Sequence, residues 1–107
     1  MNSDVPLACN IDVFTPIQRD LHLQNTLQLV QAVHGVDQVE NGYEFTFPNQ
    51  TELISKIAEF IIYERMCCPF LKFTLQVNSN SEPVSLLLTG PEGTQAFLRA
   101  EFRGAIQ

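Results

Sequence analysis

Apolar residues recur along this chain with two periods, and the period switches several times. Leu7, Cys9, Ile11 and Val13 alternate with Ala8, Asn10 and Asp12, the period-two pattern of a half-buried strand that puts Cys9 on its apolar face. Thr15-Pro16-Ile17-Gln18 then reads as a helix start: Thr15 caps, Pro16 suits the first helical position and Gln18 completes a capping box. Ile17, Leu21, Leu27, Val30 and Val33 supply a broad, imperfect apolar face, and His34-Gly35 marks the helix end. A weak strand at Val36–Glu40 and a strong one at Tyr43–Phe47 flank Asn41-Gly42, the clearest turn in the chain. Both of its residues tolerate the positive φ of a type I′ hairpin turn.

Pro48 ends that strand, and Asn49-Gln50-Thr51-Glu52 offers a second capping box. Leu53, Ile57, Ile61, Glu64 and Cys68 follow at steps of three and four, flanked by Ile54, Ala58 and Phe60, which predicts an amphipathic helix. Pro69 disfavours helical geometry at Cys68, so this helix should stop at or just before the cysteine pair. Leu71, Phe73, Leu75 and Val77 alternate with polar residues, a polar loop covers Asn78 to Pro83, and Val84–Thr89 closes a second hairpin. Gly90-Pro91-Glu92-Gly93 opens a short last helix whose apolar residues are Phe97, Leu98 and Phe102. The order βαββαββα predicts an α+β two-layer sandwich, a mostly antiparallel sheet with helices on one face.

At 107 residues without a repeat or linker, residues 1–107 read as a single domain. The net charge of −6 and the lack of a basic stripe argue against direct nucleic-acid binding and against an anionic membrane surface. No apolar run reaches the length of a membrane span, and Met1-Asn2-Ser3-Asp4 does not resemble a secretion signal, so the expected compartment is the cytoplasm. Three cysteines are an odd count, which argues against a fully paired disulfide framework, and a cytosolic setting would keep thiols reduced.

Chemistry concentrates in Glu64-Arg65-Met66-Cys67-Cys68-Pro69-Phe70, at the junction of a helix and a strand. Thiolates are soft ligands, and two adjacent ones converge at little entropic cost. If the first strand runs beneath the helix end, Cys9 joins Cys67 and Cys68 in a three-sulfur site for a thiophilic ion: zinc, mercury, copper(I) or arsenic(III). Zinc would want a fourth ligand, for which Glu64, His22 and His34 are candidates, although none has standard motif spacing and ordinary surface histidines are the commoner reading. Glu64 and Arg65 are candidates to orient or tune the thiols, or else a simple helix-end charge pair.

Nucleophilic chemistry is the competing reading, and the sequence argues partly against it. The negative end of the helix dipole and the Glu64 charge both oppose a free thiolate there, with Arg65 as partial offset. A third reading treats all three cysteines as small core hydrophobes in an interaction domain, with a sheet edge free to pair with a second copy.

The segments Gly42-Tyr43-x-Phe45-x-Phe47-Pro48, Glu64-Arg65-x-Cys67-Cys68-Pro69-Phe70 and Leu88-Thr89-Gly90-Pro91-Glu92-Gly93 resemble a group of small uncharacterised bacterial proteins. Similar Cys-Cys-Pro-Phe segments occur in association with mercury-responsive regulators of the MerR type. That resemblance implies a thiophilic-metal context for Cys67 and Cys68, without an activity. The helix-turn-helix of such a regulator is lacking here, so the sequence expectation is a non-enzymatic module for sensing, sequestering or delivering a soft metal.

Overall fold

In a computed structural model, residues 7–79 and 81–106 are described. The fold is α+β, as the patterning predicts. Four strands, β1 (Gly35–Val39), β2 (Gly42–Phe47), β3 (Lys72–Gln76) and β4 (Val84–Thr89), form one antiparallel sheet in the order β1-β2-β4-β3. Helices α1 (Pro16–Ala32), α2 (Thr51–Cys67) and α3 (Thr94–Glu101) complete the fold. The two hairpins sit side by side, so β2 and β4 are central and β1 and β3 are the edges. Along β2 and β4 the inward residues Tyr43, Phe45, Phe47, Val84, Leu86 and Leu88 alternate with less buried positions, which is what period two demands of a sheet with one covered face. Phe60 and Ile57 of α2, Leu98 of α3 and Phe102 complete the core over that face.

The two long helices depart from the predicted faces in instructive ways. The Thr15–Gln18 capping box forms as expected, with Thr15 Oγ1 accepting from the Gln18 N–H and the Gln18 side chain accepting from the Thr15 N–H. However, Ile17, Leu21 and Leu27 are exposed, and α1 buries Asn25 and Leu29 instead. Asn25 is tolerated inside because its Nδ2 donates to the Lys56 carbonyl of α2 at 2.9 Å. In α2 the buried positions are Ile57, Phe60, Glu64 and Cys67, at steps of three and four. The second capping box does not form: α2 starts one residue later, with Gln50 as its N-cap, and the Asn49 side chain donates to the carbonyls of Ser79 and Glu82 and so ties down the β3–β4 loop.

The hairpin turn is also corrected. The β1–β2 register pairs Val39 with Gly42, so Glu40 and Asn41 form the connection, and only Asn41 has positive φ, at 57°. Gly42 serves a different purpose: a Cβ there would run into the backbone carbonyl of Leu88 on β4.

The largest correction is at the start. The predicted strand over Leu7–Val13 is absent. Leu7–Asn10 runs without regular structure into a 3-10 turn at Ile11–Val13. The Asn10 side chain accepts from the Asp12 N–H and starts that turn, while the Asn10 N–H donates to the Cys67 carbonyl at 2.8 Å. The segment therefore caps the C-terminus of α2 instead of extending the sheet.

Candidate metal centre

Three elements converge at the C-terminal end of α2. Helix periodicity puts Glu64 and Cys67 on its inner face, one turn apart, and Cys68 is the C-cap, its N–H donating to the Glu64 carbonyl at 2.8 Å. Two further carbonyls are taken by neighbours: Cys67 O by the Asn10 N–H and Cys68 O by the Leu71 N–H. The first of these bonds draws the adjacent Cys9 over the helix end. One ligand atom each from Cys9, Glu64, Cys67 and Cys68 lies within 4.8 Å of all the others. The structure thus brings Cys9 to the pair, but from a capping segment and not from a sheet strand.

Cys9 and Cys68 are joined as a disulfide, their Cα atoms 4.7 Å apart, which leaves Cys67 as the free thiol. This departs from the expectation of three reduced cysteines. Both members of the pair are also buried, Cys67 at 2% and Cys68 at 0% exposure. Cys67 Sγ is 3.6 Å from Cys68 Sγ. Glu64, 1% exposed, lies among the three sulfurs, with Oε2 3.5 Å from Cys68 Sγ and 3.9 Å from Cys9 Sγ, and Oε1 3.8 Å from Cys67 Sγ, whose thiol can donate to it.

Two further side chains complete the site. His22 of α1 places Nε2 2.7 Å from Glu64 Oε1. Its ring lies between Phe14 and Phe60, with centroids 5.5 and 5.6 Å away, so it is an interior histidine and not the surface one expected. Glu101, in the last turn of α3, puts Oε2 3.3 Å from Cys9 Sγ. Glu101 went unnoticed in the sequence; the signal was its position three residues after Leu98, on the buried face of a short helix. His34 is exposed at the α1–β1 junction, and Arg65 is exposed in the last turn of α2, where positive charge suits the helix dipole.

Burial governs the electrostatics. Desolvation pushes Glu101 up to about 9, and its hydrogen-bonded neighbour Glu64 adds to the effect because two carboxyls in contact cannot both ionise. Glu64 is raised mainly by desolvation, and burial lowers the pKa of His22 against the opposing charges of Glu101 and Glu59. The Cys67 thiol is pushed up to about 12, first by burial and then by the charges of Glu64 and Glu101. The site therefore disfavours charge of either sign: its carboxyls and thiol keep their protons and its histidine releases one.

One consequence is kinetic. Alkylation of Cys67 by iodoacetamide in the native protein should be slow at pH 7.5 and still rising at pH 10, where an unperturbed thiol with a pKa of about 8.5 has levelled off. A plateau below pH 8.5 would mean an activated thiolate and would revive the nucleophile reading.

No helix among the described residues is long and apolar enough to cross a membrane. No protein-family model, no curated protein and no solved structure matches this chain.

Proposed function

We propose that this protein, with the Cys9–Cys68 bond reduced, binds a soft metal or metalloid ion through Cys9, Cys67 and Cys68, with Glu64 beside them. The observation that carries this reading is the convergence of three sulfurs and one buried carboxyl within 4.8 Å. Thiolates select thiophilic ions, and four donors of this kind at this spacing suit one coordination sphere. The helix C-terminus and the two buried carboxyls oppose an uncompensated thiolate, and a bound cation removes that opposition. The similarity of the Cys67–Phe70 segment to segments associated with mercury-responsive regulators points the same way. A thiol-redox enzyme is the weaker reading, because a buried Cys67 with a raised pKa is a poor attacking group at neutral pH.

Native mass spectrometry tests the proposal. The reduced protein, freed of reductant under anaerobic conditions, should take up one zinc(II) or one mercury(II) per chain. The disulfide form should take up no zinc, and Cys67→Ser/Cys68→Ser should lose both ions while keeping its far-UV circular dichroism. Reduced wild type that binds neither ion, or a double variant that binds as wild type does, overturns it.

A further inference from the structure

Above the sulfur cluster is a cleft of about 560 Å³ whose floor and walls differ in chemistry. Cys9, Cys67, Glu64, Glu101 and His22 line it together with the apolar Ile11, Phe14, Leu23, Leu27 and Val30, and Arg19 and Arg103 also border it. Three of these wall residues are strongly exposed for their type: Ile11 at 48%, Leu23 at 57% and Leu27 at 53%. A bare ion needs only the floor, and leaves this apolar wall in water. The buried polar side-chain atoms without a partner among the described residues are Arg19 Nε, His22 Nδ1 and Glu101 Oε1, and all three residues line this same cleft. Thiols and uncovered apolar side chains lining one cleft describe a site for a ligand that joins a thiophilic centre to an apolar part.

Resting on the metal-binding reading above, we infer that the ligand is a thiophilic centre carrying one apolar organic group, of the class of a monoorganic arsenic(III) species, R–As(OH)2. Cys9 and Cys67 are the two sulfurs that line the cleft, while Cys68 lies behind them, fully buried. Once a phosphine or thiol reductant has opened the Cys9–Cys68 bond, the two cleft thiols condense with R–As(OH)2. Two As–O bonds break and two As–S bonds form. Each departing hydroxide takes a thiol proton and leaves as water, and arsenic stays trivalent. The product is neutral, which suits a site that desolvates its charges. The organic group then lies against Leu23, Leu27 and Ile11. Space is ample, since an apolar cavity of about 150 Å³ accommodates benzene.

The test compares two ligands that share the same bond chemistry. Phosphine-reduced protein is titrated with phenylarsonous acid and with methylarsonous acid, in competition with glutathione. The phenyl compound should bind at least tenfold more tightly than the methyl compound. Leu23→Gln/Leu27→Gln alters exposed side chains, so the fold should persist, and it should erase the phenyl preference while leaving methyl binding in place. Equal affinity of the two compounds for wild type, or a preference that survives in the double variant, overturns the inference. If zinc(II) and mercury(II) bind in the preceding experiment while no organic preference is found, only this inference fails. If the ions do not bind either, the metal-binding reading fails with it.

Discussion

Reduction of the Cys9–Cys68 bond is expected to lower the unfolding free energy by about 4 kcal/mol, the chain-entropy value for a cross-link between residues 59 apart. The bond joins the capping segment to the far end of α2, and without it the unfolded chain regains the freedom of a long loop. The folded state has modest compensation, namely the Asn10 N–H to Cys67 carbonyl bond and the burial of Phe14. Guanidinium unfolding of Cys67→Ser, with and without a phosphine reductant, measures this with no free thiol present to shuffle the bond. An unchanged midpoint would mean that the cross-link does not restrict the unfolded chain as its loop length requires, and would overturn this prediction. In the wild type, zinc(II) added after reduction should recover part of the loss, because an ion held by the same sulfurs binds only the folded chain. At a hundred times the dissociation constant the recovery is about 2.7 kcal/mol. A loss on reduction with no recovery on adding zinc would count against the metal reading while leaving the disulfide's structural role intact.

Stability should also fall by about 3 kcal/mol between pH 6.5 and 9, through Glu101. The sign follows from where the proton resides. Glu101 is raised from 4.5 to about 9 on folding, so across this interval the folded chain holds a proton that the unfolded chain has released. Its contribution is fully present below pH 4.5 and is lost as the pH climbs through 9. His22 acts in the opposite direction, since its value is lowered from 6.5; its slope fades above pH 6.5 as the unfolded imidazole gives up its proton and is spent by about pH 7.5. Cys67, raised from 9.0 to about 12, begins to lower stability from about pH 8, as the unfolded thiol ionises, and does most of it above pH 9. Glu101→Gln keeps the shape and removes the titration, so its unfolding free energy should be nearly flat over the same interval and higher than wild type at pH 9. If the slope persists in Glu101→Gln and disappears in Glu64→Gln, the shared proton resides on Glu64.

Both predictions concern residues whose importance was unevenly visible in the sequence. Glu64 stood on the apolar stripe of α2 between Ile57 and Cys68, and a carboxyl at such a position already requires an unusual environment. Glu101 has the same character on α3, but eight residues offer too few turns for the pattern to stand out. His22 has no partner at ligand spacing in the sequence, which makes a surface histidine the commoner reading, and the apolar pattern of α1 runs through Ile17, Leu21 and Leu27. The structure turns that helix so that His22, Asn25 and Leu29 face inward, leaving an apolar wall outside. Periodicity weighs side chains by hydrophobicity alone, so it cannot register that a histidine bonded to a buried glutamate is the better inward residue.

The strand error at Leu7–Val13 has a similar origin. Alternation records which side chains share a face, but a backbone becomes a sheet strand only if its N–H and C=O groups find a neighbouring strand. Here the Asn10 N–H is committed to the end of α2 and the Asn10 side chain starts a turn. The two sheet edges, β1 and β3, come from elsewhere in the chain.

The sequence by itself determined the elements from α1 onward, the antiparallel sheet, the stop of α2 at the cysteine pair, and the location of the reactive chemistry. These are local matters of period, capping, turn residues and the proline after Cys68, and each is decided within a few residues. Only the tertiary structure decided that Cys9 bonds Cys68 and leaves Cys67 free, that Glu101 and His22 close around Glu64, and that an apolar cleft opens above the sulfurs. Those outcomes depend on the packing of α1, α2, α3 and the capping segment against one another, and distances between segments up to 92 residues apart carry no signature in local pattern.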